Sequence, residues 1–188
     1  MHATAKPLSA EFFARDADRV APDLLGCILK VQGEDGIRQA RIVETEAYLG
    51  EHDLACHAAK GRTPRTESLY GPAGTAYVYL VYGLHLLFNV VVAKEGDPQA
   101  VLIRAVEPLD FEGRTHGPGL LTRALGIDLH DDRSTLQQGK LVFLQGPAPA
   151  KILVGPRIGV DYAGPWASAP LRFGEAGSAY LSKRFPDE

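Results

Sequence analysis

The 188-residue chain has only two cysteines, Cys27 and Cys56. They have neither the number nor the spacing of a disulfide framework or a zinc site, so a reducing compartment is the default expectation. No apolar run reaches membrane-spanning length. The longest candidate, around Tyr77–Ala93, is broken by Tyr82-Gly83 and by polar residues. The opening stretch, "MHATAKPLSAEFFARDADRV", is too charged for a signal peptide. No Gly-rich phosphate loop follows a strand-like run, so no nucleotide-cofactor fingerprint exists and no cofactor is expected. His52 and His57, with Asp53 and Cys56, match no common zinc spacing, and no metal is expected. Serine nucleophiles lack an elbow motif, and no lysine has a context that marks a Schiff-base nucleophile. There is no internal repeat and no low-complexity segment.

What is present is a globular composition, 45% hydrophobic and 23% charged. The length suits one domain, residues 1–188, with enough chain to bury a core without staples. The formal charge of −3 argues weakly against a nucleic-acid partner. Its distribution says more. Between Lys60 and Lys94, four basic residues (Lys60, Arg62, Arg65, Lys94) stand against Glu67 alone. Between Lys140 and Arg184, six basic residues stand against Asp161 and Glu175. A basic face on an acidic protein and an ordinary mixed surface are both compatible with this pattern.

Residues 8–27 read as short helices, with Ser9 as an N-cap and Pro22 starting a second turn. "CILKV", "GEDG" and "IRQARIVETEAYL" read as a hairpin of strand, Gly turn and long strand. "GEHDLACHAAKGRTPRTESLYGPAG" is a long polar loop, and such loops inside a domain are usually functional or disordered. "TAYVYLVYGLHLLFNVVVA" reads as a second hairpin around Tyr82-Gly83, and "AVLIRAVEPL" as a further strand. "GPGLLTRALGI" has short-helix spacing, and "LVFLQ", "KILV", "RIGV" and "PLRF" read as short strands. The expected class is α+β: a curved, mainly antiparallel, barrel-like sheet with flanking helices and a protruding hairpin.

The stretch "VETEAYLG" carries the first chemical signal. Glu44, Glu46 and Tyr48 share one strand face, and Val43, Thr45, Ala47 and Leu49 the other. Residues two apart on a strand are about 6.6 Å apart. That resembles an inverting-glycosidase pair, but such carboxylates flank the scissile bond from opposite sides. If this strand is catalytic, one Glu acts alone on water. Otherwise both are solvated or salt-bridged. Tyr70, Tyr77, Tyr79 and Tyr82 lie within thirteen positions, beside "KGRTPR". Strand aromatics usually pack a core. Tyr82 differs, because at a hairpin tip next to Gly83 it has little core to join. It is placed to enter a base stack, or else to cover its own turn.

Together "RIVETEAYLGEHDLACH", "GRTPRTE", "GPAGTAYVYLVYGLHLLFNVV", "VLIRAVEPL", "GPGLLTRALGI" and "RIGVDYAGPWASAPLRF" resemble the alkyladenine (3-methyladenine) DNA glycosylase family. The resemblance runs from Leu8 to Phe173, with the motifs in family order. It implies that Glu46 is the catalytic glutamate, activating a water that attacks the sugar C1′. It implies that Arg104 and the backbone carbonyl of Ile158 help hold that water. It implies a base pocket of Tyr48, His57 and Tyr79, with Asn89 crowding the 2-amino group of guanine. It implies that Tyr82 is the intercalating wedge. The basic loop residues Lys60, Arg62, Thr63 and Arg65 are then candidates for contacting DNA. Leu69 and Leu84 stand where familiar members carry methionine, a departure that bears on substrate breadth. Glu44 has no implied role; a structural partner to a basic residue is the expectation.

The expected partner is damaged double-stranded DNA, with no membrane, bound by a monomer. The expected location is the cytoplasm, associated with the nucleoid, in a bacterium, and the nucleus in a eukaryote. Two other readings stand beside this one. A free-nucleoside hydrolase would need a ribose-binding, often metal-ligating Asp cluster and no wedge. A non-enzymatic nucleic-acid-binding module would not explain an acid beside the pocket.

Overall fold

A computed structural model describes residues 5–186. Its centre is one antiparallel, curled sheet. The strands are β1 (Ile28–Gly33), β2 (Gly36–Tyr48), β3 (Ala76–Val81), β4 (His85–Val92), β5 (Gln99–Pro108), β6 (Leu141–Leu144), β7 (Ile152–Gly155) and β8 (Arg172–Glu175). Six run in the order β3-β4-β5-β2-β1-β6, and β8 joins β7 to β2. The helices are α1 (Ala10–Phe13), α2 (Ala17–Asp23) and α3 (Pro118–Leu125). The class is α+β.

Period-two alternation divides the strands between two environments. Val78, Phe88, Val90, Val101, Ile103 and Ala47 face the main core with helix residues such as Phe13, Val20 and Leu121. Phe88 and Phe143 stack there at 6.0 Å. Truncating such a ring to alanine typically costs about 3–5 kcal/mol. Tyr77, Tyr79, Asn89, Ala100, Leu102 and Arg104 are the alternate residues, and they line a cavity on the other face.

β2 is long enough to serve two neighbours on one edge. Its first half pairs with β1, and Glu44–Glu46 pair with β8. Its register against β5 shifts between Ile42 and Glu44 and again between Glu44 and Thr45. Such irregularities re-aim side chains near sites.

Ser9 caps α1 as its sequence suggests. α2 begins earlier than the Pro22 reading, at Ala17 after Asp16, and Pro22 lies inside its last turn. "RIGV" is not a strand: residues 157–160 run irregularly into a 3-10 helical segment, Asp161–Ser168, that is kinked at Ala163-Gly164. Gly159 has φ +75° and turns the chain there. The Ile158 amide is bonded to a side chain, Glu46, instead of to a neighbouring strand. Among the described residues, no helix is long and apolar enough to cross a membrane.

Candidate active site

The sheet register assembles the site. Glu46 on β2 is opposite Leu102 on β5, Leu102 is opposite Asn89 on β4, and Asn89 is opposite Tyr77 on β3. Cross-strand partners point to the same face. Four residues far apart in sequence therefore form one row. Leu102, Asn89 and Tyr77 line a cavity of about 580 Å³.

Glu46 itself is fully buried at the end of that row. Its carboxylate accepts hydrogen bonds from the Ile158 amide at 2.8 Å and the Tyr48 hydroxyl at 2.8 Å. Arg104 Nη1 lies 3.4 Å from it. All three partners line the cavity. Burial, then the charge of Glu46, hold the Tyr48 phenol well above its ordinary range, so it stays a proton donor. For Ile158, the amide is the group that meets Glu46.

The aromatic wall includes a residue that the sequence reading left in the core. Tyr77 and Tyr79 are 5.0 Å apart, and the His57 ring meets Tyr79 edge-on at 4.6 Å. His57 Nδ1 is hydrogen-bonded to the Tyr77 hydroxyl at 3.0 Å. Burial, reinforced by the charges of Arg65 and Lys60, lowers the His57 pKa. That favours a neutral ring near pH 7. The signal for Tyr77 was in the sequence: residues two apart on a strand share a face. Asn89 donates its side-chain N–H to the Tyr77 carbonyl at 3.2 Å, which fixes its rotamer at the cavity wall.

The hairpin tip is Tyr82–Leu84, closed by the Leu84 amide donating to the Val81 carbonyl at 3.1 Å. Tyr82 and Gly83 both have left-handed backbone, φ +52° and +65°. That conformation costs a non-glycine residue about 1–2 kcal/mol. It leaves Tyr82 96% exposed at the cavity mouth.

The basic loop divides. Arg65 lines the cavity, with its guanidinium 5.9 Å from the Tyr79 ring. Lys60 is exposed outside it. Arg62 is held by Glu67 at 2.9 and 2.6 Å. The Thr63 amide bonds to Thr66 within the turn. The structure thus brings Arg65 to the pocket, but not Lys60, Arg62 or Thr63.

Two features escaped the sequence reading. Asp53 and Arg157 form a fully buried ion pair, with contacts of 2.5 and 2.8 Å. Arg157 also donates to the Ala47 carbonyl, and its guanidinium lies 4.7 Å over the Tyr48 ring. It therefore backs the ring that lines the cavity. Nothing local pairs residues 104 positions apart. Tyr162, 71% exposed, adds a second aromatic at the mouth, its hydroxyl donating to the Ala55 carbonyl at 3.2 Å. The strand-like composition of the preceding "RIGV" gives no sign of this placement.

Among the described residues no cluster of three metal-ligating side chains occurs. Asp53, the acid nearest His52 and Cys56 in sequence, is occupied by Arg157. Among the described residues no lysine lines the cavity.

Residues 11–179 match the family model described as Methylpurine-DNA glycosylase. The chain is 53% identical over 186 residues to a Myxococcus xanthus protein named "Putative 3-methyladenine DNA glycosylase", covering 95% of each chain. Proteins of the same name are 48% identical in Legionella pneumophila strain Lens and 50% identical in Anaeromyxobacter dehalogenans strain 2CP-C. In both cases 95% of this chain is covered, with 99% and 88% of the relatives.

Proposed function

The chain belongs to the methylpurine-DNA glycosylase family, and from that premise we propose that Glu46 is its general base. In this reading the enzyme extrudes an alkylated or deaminated purine from duplex DNA and hydrolyses its N-glycosidic bond. The substrates are 3-methyladenine and 7-methylguanine, with hypoxanthine or ethenoadenine as neutral candidates. One observation carries the reading: a fully buried carboxylate whose three partners, Tyr48, Arg104 and Ile158, all line one aromatic cavity.

Alkylation at N3 or N7 makes the purine cationic and already a good leaving group. The protein must then mainly unstack the nucleotide, exclude normal bases and present one activated water. Tyr82 enters the stack and takes the place of the extruded base. The base settles among Tyr48, Tyr79, Tyr77 and His57. Electron-rich rings favour a cationic purine by about 0.5–2 kcal/mol. A neutral His57 adds no opposing charge. Asn89, with its rotamer fixed, crowds the 2-amino group of guanine, a penalty that selects against the undamaged base while the cationic 7-methylguanine, already a good leaving group, is still released.

Water bound at Glu46 gives up a proton to the carboxylate as its oxygen bonds to C1′. The electron pair of the C1′–N bond leaves with the purine. Arg104 and the Ile158 carbonyl hold the water, and the Tyr48 hydroxyl holds Glu46. The product is an abasic site. With water as the nucleophile no covalent enzyme–DNA intermediate forms, so no chain-cleaving lyase step is part of this reading. Lys60, Arg62, Thr63 and Arg65 are proposed to contact DNA, and Arg65, at the cavity, is the best placed of them. The reading includes a monomer without a cofactor or metal. Its location is the cytoplasm beside the nucleoid in a bacterium, or the nucleus in a eukaryote.

The test incubates the protein with an alkylated duplex and, separately, with a free alkylated nucleoside, and measures released base. Release from the duplex alone is the expected result. Release from the nucleoside alone would make this a nucleoside hydrolase, and release from neither would make it a binding module.

A further inference from the structure

We infer that Glu44 and Ser182 are positioning residues for Arg104, so that the segment after β8 completes the active site. The inference rests on reading Glu46 and Arg104 as the water-activating pair. Glu44 is the acid for which the sequence offers no catalytic role.

Glu44 presents nothing to the cavity. It is fully buried, and both carboxylate oxygens are engaged. Oε1 accepts from Arg104 Nε at 3.3 Å, Arg172 Nη1 at 3.0 Å and Ser182 Oγ at 2.8 Å. Oε2 accepts from the Ser182 amide at 2.6 Å. Ser182 Oγ is also 3.3 Å from both Nε and Nη2 of Arg104. The Nε–Nη2 edge of Arg104 is thus held by Glu44 and Ser182, while Nη1 lies 3.4 Å from Glu46. A guanidinium is a rigid plane, so fixing one edge fixes the other.

The charges balance within this cluster. Two carboxylates, Glu44 and Glu46, face two guanidiniums, Arg104 and Arg172. Without Glu44, the buried excess of positive charge would draw Arg104 and Glu46 into a closer, more saturated pair. Glu46 would then have less capacity to hold a water.

The tail is seated firmly enough to do this. Arg172 donates to the Lys183 carbonyl at 3.2 Å and the Arg184 carbonyl at 3.0 Å. Its guanidinium lies 3.7 Å over the Phe185 ring. Phe185 is buried against Gly174, where an added Cβ would come within 2.5 Å of the ring. Ser182 is therefore delivered by a backbone latch. It lies beyond residue 179, where the family match ends.

The test compares Ser182→Ala, Ser182→Thr, Glu44→Gln and Glu46→Gln in the full-length protein. Two quantities are read on one alkylated duplex: the single-turnover excision rate at saturating enzyme, and affinity for a duplex carrying an abasic analogue. Ser182→Ala should slow excision roughly tenfold while leaving affinity and the thermal unfolding midpoint near wild type, as expected for a misplaced catalytic group. Ser182→Thr, which keeps the hydroxyl, should restore the rate. Glu44→Gln should lose more than Ser182→Ala and less than Glu46→Gln. If it fails to fold, the two Ser182 variants still decide the matter. A wild-type rate in Ser182→Ala, or a loss that tracks affinity, would overturn the inference while a slow Glu46→Gln keeps the general base. A wild-type rate in Glu46→Gln would instead overturn the reading beneath it.

Discussion

The Tyr48 hydroxyl donates to Glu46 Oε2 at 2.8 Å, linking an aromatic wall of the cavity to a buried carboxylate two residues away. Glu46 Oε1 is meanwhile held by the Ile158 amide. Both oxygens are oriented before any substrate arrives. Preorganisation of this kind avoids reorganisation during the chemical step.

Replacing Glu46 by glutamine keeps the size and removes the proton acceptor. Single-turnover excision of an alkylated base should fall about 10²–10⁴-fold, the usual worth of a positioned general base. Lesion binding should survive, because a negative charge near phosphate is gone. On the proposed water mechanism, borohydride should trap no covalent intermediate in either form. Near-wild-type excision by this variant would refute the assignment.

Tyr82→Ala should leave the fold intact, since the side chain is 96% exposed. Lost base stacking is worth about 1–3 kcal/mol, so affinity for an abasic-analogue duplex should drop roughly tenfold or more. Alanine keeps the Cβ, so the left-handed backbone at this position is as strained in the variant as in the wild type. An unchanged dissociation constant would remove Tyr82 from the wedge role.

Asn89→Ser shortens the cavity wall beside Tyr77. It should admit the 2-amino group and raise release of undamaged guanine relative to alkylated adenine. The measurement is the ratio of the two free bases released from matched duplexes. A ratio that does not move would mean that another residue sets this boundary.

The Asp53–Arg157 pair should be costly to break from one side. Asp53→Asn strands a buried guanidinium and should cost about 3–5 kcal/mol. An Asp53→Asn, Arg157→Met double variant should recover part of it. Burial raises the Asp53 pKa, but hydrogen bonds from Arg157 and from the amides of Leu49 and Ala55 outweigh it and hold the group below its usual value. A depressed folded pKa stabilises above the unfolded value of about 3.9, and that stability is lost as pH falls toward the folded one. Thermal midpoints taken from pH 7 downward should show the wild-type advantage over the double variant shrinking below about pH 4. A constant advantage would exclude Asp53 as its source.

Much of this protein is written locally. Alternation marks β2 to β5, Tyr82-Gly83 marks the turn between β3 and β4, and Gly117-Pro118 opens a short amphipathic helix. These follow because strand period, turn backbone and helix spacing depend on neighbours within a few residues. The motifs also sufficed to indicate the family. What the tertiary structure decided is which charges meet. Asp53 finds Arg157 across 104 positions, and Glu44 finds Ser182 across 138. "RIGV" has strand composition, yet it runs irregularly, with one backbone N–H given to Glu46 and its arginine spent on Asp53. Buried charges must be paired wherever the fold brings them together. That pairing depends on strand order and register, which no local pattern of residues contains.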